Sequence, residues 1–108
     1  MISVALMLST LIASPDPEPP RAELCLAHIN AMIAEAARET GRVAGPSWFV
    51  RSWWSAKLPD DGTSEAWTEE QRTRLELSMP ERKAADPEAY QAELQACVDE
   101  AIDGGALP

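Results

Sequence analysis

The chain has 108 residues, a net charge of −9, two cysteines and one histidine. This length suits one small domain. The negative charge would repel phosphate backbones, so the composition argues against nucleic-acid binding.

The chain opens with an uncharged apolar run over residues 2–13. The run is too short for a stable membrane span, which needs about 20 residues, but it has the length of the apolar part of a secretory signal. Residues 1–13 are therefore predicted to be a signal-like segment, cleaved near Ala13 and Ser14 in a periplasmic or secreted protein. No Lys or Arg precedes the run, and Leu11 is large for its place before the cleavage site. If the segment is retained, the protein is cytoplasmic.

Residues 14–20 contain four prolines. Proline cannot sit inside a helix without losing a hydrogen bond and favours extended chain, so this stretch is predicted to be a linker. Residues 21–108 are predicted to form a single helical domain.

The first predicted helix begins near Pro20 or Arg21, because proline suits the first helical position. It ends at Thr40, because Gly41 suits a left-handed cap. Apolar residues recur on one face at helical spacing: Ala22, Cys25, Leu26, Ile29, Met32, Ile33 and Ala36. Glu23 is expected mostly away from that face. His28 lies at the edge of the apolar face and is interpreted as a residue at the boundary between the buried and exposed sides of the helix.

A second helix is predicted from Trp48 to Lys57, with Ser47 as the N-cap. A short aromatic run of this kind is also compatible with a strand. Four large residues of this helix share a face and are expected in the core: Phe49, Val50, Trp53 and Trp54. Trp48 lies on another side of the helix, beside Arg51. Arginine beside tryptophan is typical of interaction hot spots.

A basic island, residues 42–58, interrupts the acidic chain. It carries three bases and no acid, whereas residues 59–108 carry thirteen acids and four bases. Trp48, Arg51, Arg42 and Lys57 are therefore a candidate surface for another protein or peptide, suited to an acidic peptide or an anionic headgroup. The interpretation preferred from the sequence is that these bases pair with the protein's own acidic helices.

Capping signals predict the last two helices. Thr68-Glu69-Glu70-Gln71 matches a capping box, and this third helix is expected to end near Ser78, before Pro80, with Leu75 and Met79 aligned. The fourth helix is predicted to start at Asp86-Pro87 and to stop at Gly104-Gly105. Its apolar face carries Tyr90, Leu94, Cys97, Val98 and Ala101.

The two cysteines lie on the apolar faces of the first and last helices. In an exported protein of this size, Cys25 and Cys97 are predicted to form one disulfide. The alternative is two unrelated buried thiols. No Cys-x-x-Cys spacing supports a redox function.

The sequence offers no recognisable catalytic, cofactor or metal-binding set. A zinc site needs three or four ligands at suitable spacing, and no glycine-rich phosphate loop is present. His28 with a nearby carboxylate is the one candidate for a small enzyme or an enzyme's accessory subunit.

The predicted fold is a small all-α bundle of about four helices, closed by one disulfide. This organisation is loosely similar to small exported bacterial helical proteins with one disulfide, such as periplasmic acid-stress chaperones. The similarity covers architecture only, and no motif is shared. The function predicted is non-enzymatic protein binding outside the cytoplasm, stress- or chaperone-like in one version. A cytosolic helical interaction domain is the main alternative, and the oligomeric state is left open.

Overall fold

The computed structural model describes residues 18–58 and 67–108, which form four α-helices. These are α1 (Arg21–Thr40), α2 (Gly45–Ala56), α3 (Glu69–Ala85) and α4 (Pro87–Asp103). No strand occurs in the two described ranges. The predicted all-α fold of four helices is confirmed. The signal-like residues 1–13 and residues 14–17 of the linker lie outside the described residues.

α1 is the central helix. It packs against α2, α3 and α4, and α4 in turn packs against both α2 and α3. In the described part of the chain, α2 and α3 do not contact each other. The α1–α4 pair is therefore the middle of the bundle, with α2 and α3 packed on it separately.

A disulfide joins α1 to α4 through Cys25 and Cys97, whose Cα atoms are 5.4 Å apart. Both residues are fully buried. The predicted cross-link between the first and last helices is therefore present, and its 72-residue separation closes most of the described chain into one loop.

The core has two parts, one on each side of the central pair. The first contains the disulfide and joins α1, α2 and α4: Cys25, Leu26, Ile29, Ile33, Val50, Trp54, Leu94, Cys97 and Ala101. The second joins α1, α3, α4 and the segment before α3: Ala27, Trp67, Leu75, Met79 and Tyr90. α1 is thus buried on more than one side. The sequence pattern had predicted one buried face for this helix.

The start of α2 differs from the prediction. The helix begins at Gly45 with Ala44 as N-cap and no side-chain capping bond, so Ser47 is not the cap. Pro46 lies in the first turn, where its missing N–H removes no intrahelical bond. Pro46 precedes the predicted start at Trp48 but belongs to the first turn of the observed helix.

The end of α3 also differs from the prediction, whereas its start agrees. Both bonds of the capping box between Thr68 and Gln71 are formed. The helix continues through Pro80 to Ala85 instead of ending near Ser78. Losing one backbone bond is tolerated here because Met79 is fully buried and Lys83 pairs with Glu35 of α1 at 3.1 Å, so tertiary contacts hold the turns on both sides of the proline.

α1 and α4 have the predicted ends. Gly41 adopts a left-handed conformation with φ 71° after Thr40. Asp86 accepts a hydrogen bond from the backbone N–H of Ala89, and Pro87 opens α4.

Candidate functional site

The outer face of α2 exposes two adjacent aromatic side chains. Trp48 is 48% exposed and Phe49 is 46% exposed. The placement of Phe49 in the core was therefore wrong. Among the described helices, α2 packs against only α1 and α4, so its buried stripe is narrow. Phe49 lies about 100° around the helix from the buried Val50.

Small residues complete this face. Trp48, Ser52 and Ala56 follow one another at four-residue spacing, which places them along one line of the helix. Ser52, Ser55 and Ala56 are all exposed. We call the exposed set Trp48, Phe49, Ser52, Ser55 and Ala56 the α2 outer face; it contains no charged group and leaves the backbone accessible to a neighbouring segment.

The buried side of α2 holds this face in place. Val50 and Trp54 are buried, and the indole Nε1–H of Trp54 donates to the backbone carbonyl oxygen of Cys97 at 2.9 Å. Trp53 packs edge-on against Trp54 and lies directly over Gly104, beyond the end of α4. The outer face is therefore carried by a helix anchored beside the disulfide.

The bases of the basic island lie before, within and just after α2. The Nε of Arg51 donates to the side-chain carbonyl oxygen of Asn30 on α1 at 2.7 Å, and the ammonium group of Lys57 lies 4.5 Å from the centre of the Trp53 ring. Arg42 lies before α2 and is exposed. Arg51 and Lys57 therefore hold neutral partners.

Within residues 18–58 and 67–108, the expected pairing of these bases with the protein's own acids is not found. Between residues of the described ranges, the ion pairs of other bases include Arg21–Glu100, Arg72–Glu23, Arg74–Glu70 and Lys83–Glu35. None of them involves Arg42, Arg51 or Lys57. The positive charge of the island is therefore not neutralised by described carboxylates.

His28 is not a boundary residue. It is 0% exposed, and its Nε2 lies 2.6 Å from Oε1 of Glu93 on α4. Its ring also packs against Tyr90, with centroids 4.6 Å apart, while its Nδ1 has no hydrogen-bond partner. The residue is buried at the α1–α4 contact, where a substrate has no direct access to its imidazole.

Glu23 was expected outside the apolar face of α1, yet it is 1% exposed. Both of its carboxylate oxygens accept hydrogen bonds from Arg72 of α3 at 2.7 Å. The pKa of Arg72 is raised, chiefly by this hydrogen bond. The small residues Ala27 and Ala31, four and eight positions after Glu23, give α3 room to approach and are the sequence signal for this second buried face.

A groove of about 510 Å³ lies between α1 and α3. Its lining includes the buried Met79, the strongly exposed Leu77 and the polar Asn30 that holds Arg51. Acids and bases both occur around it, so it has no single charge preference. The groove does not itself define a ligand.

In residues 18–58 and 67–108, no group of three or more His, Cys, Asp or Glu residues could hold a metal ion. No described helix combines the length and apolar character needed to cross a membrane. No protein-family model matches the chain, and neither a curated protein nor a solved structure matches it.

Proposed function

We propose that this protein is a non-enzymatic, exported helical protein that binds another protein through the α2 outer face. The observation that carries the proposal is the pair of adjacent, half-exposed aromatic residues, Trp48 and Phe49, on a rigidly anchored helix. Aromatic side chains are enriched at the centres of protein interfaces, because they bury much apolar area with little loss of side-chain freedom.

The buried disulfide supports the exported part of the proposal. Disulfides form and persist outside the reducing cytoplasm, and small exported domains use them to compensate for a limited core. The signal-like residues 1–13 point to the same compartment. A cytosolic interaction domain with a retained N-terminus is the alternative.

The burial of His28 counts against the small-enzyme alternative. Its ring is enclosed by α1 and α4, and its Nε2 is engaged with Glu93. A general acid or base must reach the proton that it transfers. His28 is better explained as a packing and hydrogen-bonding residue between two helices.

Intact mass spectrometry of the protein purified from its native host tests the compartment. The proposal predicts a mature chain starting near Ser14, found outside the cytoplasm and with Cys25 bonded to Cys97. A cytoplasmic protein that retains Met1 and has free thiols would refute export.

Photo-crosslinking in the native host tests the binding surface. A photoreactive amino acid at Ser52, in the centre of the α2 outer face, should yield an adduct with a specific protein. The same amino acid at Ala92, an exposed position of α4, is the matched control and should yield none. In a Trp48→Ser/Phe49→Ser background the Ser52 adduct should fall severalfold. Equal labelling from both positions would contradict the proposal.

The stress- or chaperone-like version makes a separate prediction. Acid would protonate the many carboxylates, change the charge balance and expose tryptophan surface. Tryptophan fluorescence that is unchanged from neutral to strongly acidic pH, without binding of unfolded clients, would remove this version and leave specific protein binding in place.

A further inference from the structure

We infer that the partner segment bound by the α2 outer face is acidic: a stretch of another protein that offers apolar side chains to Trp48 and Phe49 and carboxylates to the surrounding bases. The inference rests on the proposed function and adds the chemistry of the partner. It is carried by the arrangement of three bases that have no carboxylate partner in the described part of the chain.

The bases are distributed along the length of α2. Arg42 lies before α2, Arg51 lies on the helix and Lys57 follows its last residue. α2 has 12 residues and is therefore about 18 Å long. A bound segment of similar length would pass all three positive charges while covering the aromatic residues.

The contacts of the bases leave their charge available. Arg51 is held by the neutral amide of Asn30 and Lys57 by the ring of Trp53. These contacts orient the side chains without neutralising them. A carboxylate that approaches would therefore gain charge-assisted hydrogen bonds to cations that are already positioned.

A narrow acidic segment fits this surface better than an anionic membrane. Gly104 contacts Trp53, so the acidic end of α4, with Glu100 and Asp103, lies beside α2. A flat anionic surface would bring these carboxylates close to like charges. Charges interact within a Debye length of about 8 Å at physiological salt. A single segment that lies along Trp48 and Arg51 keeps most of its length away from the end of α4, and it approaches that end only at Lys57, whose ammonium group lies on the Trp53 ring.

Calorimetric titration with two matched peptides tests the inference. One is a helical peptide with leucine on one face and glutamate elsewhere, and the other has lysine in place of glutamate. The glutamate peptide should bind at least about tenfold more tightly, the change in Kd expected from three surface ion pairs. Raising the salt concentration should reduce the difference.

Charge-neutral variants identify the bases responsible. Arg42→Gln/Arg51→Gln/Lys57→Gln should lose most of the preference for the glutamate peptide, while glutamine keeps hydrogen-bonding capacity near Asn30. Arg38→Gln/Arg82→Gln removes two bases outside the island and should change Kd less than about twofold. Equal binding of both peptides, or unchanged binding by the triple variant, would overturn the inference.

Other occupants of the face would also overturn it. Phosphatidylglycerol vesicles that bind when neither peptide does would indicate a membrane. A Ser52 crosslink to a second copy of the chain, or to residues 1–17 of the same chain, would indicate a self-contact. A Ser52 adduct that persists undiminished in the triple variant would refute the acidic partner while supporting the proposed function. No adduct from Ser52 would refute the proposed function itself.

Discussion

Arg72 of α3 holds the buried carboxylate of Glu23 on α1 by two parallel hydrogen bonds, from Nε to Oε1 and from Nη2 to Oε2, each 2.7 Å long. Glu23 is 1% exposed and the Arg72 side chain is 31% exposed. Such a two-point contact fixes the orientation of both side chains. It also determines how α3 sits on α1.

Removing Arg72 should therefore destabilise the fold strongly. Arg72→Ala leaves the Glu23 carboxylate buried without its partner, and we expect a loss of about 3 kcal/mol, the low end for a broken buried pair because Arg72 is partly exposed. Arg82→Ala is the matched control in the same helix. Arg82 is exposed and forms no ion pair with a described residue, so a loss of no more than about 0.5 kcal/mol is expected.

Urea unfolding followed by tryptophan fluorescence measures both changes. Similar losses for the Arg72 and Arg82 variants would show that the Glu23 contact contributes no more than an unpaired surface residue.

The disulfide should provide a large share of the stability. Reduction opens a loop closed by residues 72 positions apart, and the chain-entropy model predicts a loss of about 4 kcal/mol. Reduced and oxidised wild-type protein differ in this bond alone, so comparing their urea midpoints is the direct measurement. Because Cys25 and Cys97 are fully buried, a thiol reagent should label neither residue until the protein is unfolded and reduced. Rapid labelling of the native protein, or equal midpoints, would contradict this account.

Gly104 should be intolerant of a side chain. A Cβ at this position would collide with the ring of Trp53, because the distance from the Cβ to Cε2 of Trp53 would be 2.9 Å. Gly104→Ala is therefore expected to destabilise by about 1–3 kcal/mol, the usual effect of overpacking. Gly45→Ala is the control: it lies in the first turn of α2, and apart from its chain neighbours a Cβ there meets nothing within 4 Å. Because Pro46 follows and disfavours helical backbone in a residue that has a Cβ, we expect no stabilisation from helix propensity and an effect of at most about 0.5 kcal/mol.

Thermal unfolding of both glycine variants provides the comparison. Equal Tm values would mean that Trp53 moves aside freely, and that the anchoring of α2 at the end of α4 is weaker than described.

Tyr90 should make the fold sensitive to alkali. Burial raises the pKa of Tyr90 above its ordinary value of 10.0, with Glu35 and Glu93 adding to the effect and Lys83 opposing it. The unfolded chain therefore loses the phenol proton first as pH rises. Stability is fully present below the ordinary pKa and declines as pH rises from there through the raised folded pKa.

Tyr90 is the one tyrosine of the chain, so phenolate absorbance reports it alone. The titration midpoint should lie higher in the folded protein than in urea, and Tyr90→Phe should lessen the loss of stability at high pH. Coincident midpoints in the folded and urea-unfolded protein would show that Tyr90 is not shielded.

Much of the fold could be predicted because its signals are local. Helix caps depend on atoms within a few residues of one another. This holds for the capping box of α3 at Thr68 and Gln71, the C-cap of α1 at Gly41 and the start of α4 at Asp86-Pro87. The apolar periodicity of α1 and α4 predicted that Cys25 and Cys97 both point into the core, where they can form a disulfide. Trp48 and the three bases of the basic island could be selected as a candidate surface because their composition differs from that of the acidic flanks.

The failures share one cause, which is contact between residues distant in the sequence. A helix wheel assumes one buried face, but α1 is the central helix, so Glu23 and His28 are buried by α3 and α4. Pro80 was expected to end α3, but contacts of Met79 and Lys83 with the rest of the bundle hold the helix on both sides of it. Phe49 was assigned to the core because its neighbours on α2 are buried, although α2 is covered on too narrow a stripe to enclose it.

The sequence by itself determined the helices, most of their caps and the two sulfur atoms able to cross-link them, because these follow from backbone hydrogen bonding and apolar spacing within short stretches. Only the tertiary structure decided which charges are buried and which aromatic residues stay exposed. Burial depends on how many neighbours surround a helix, and this number is set by packing across the whole molecule.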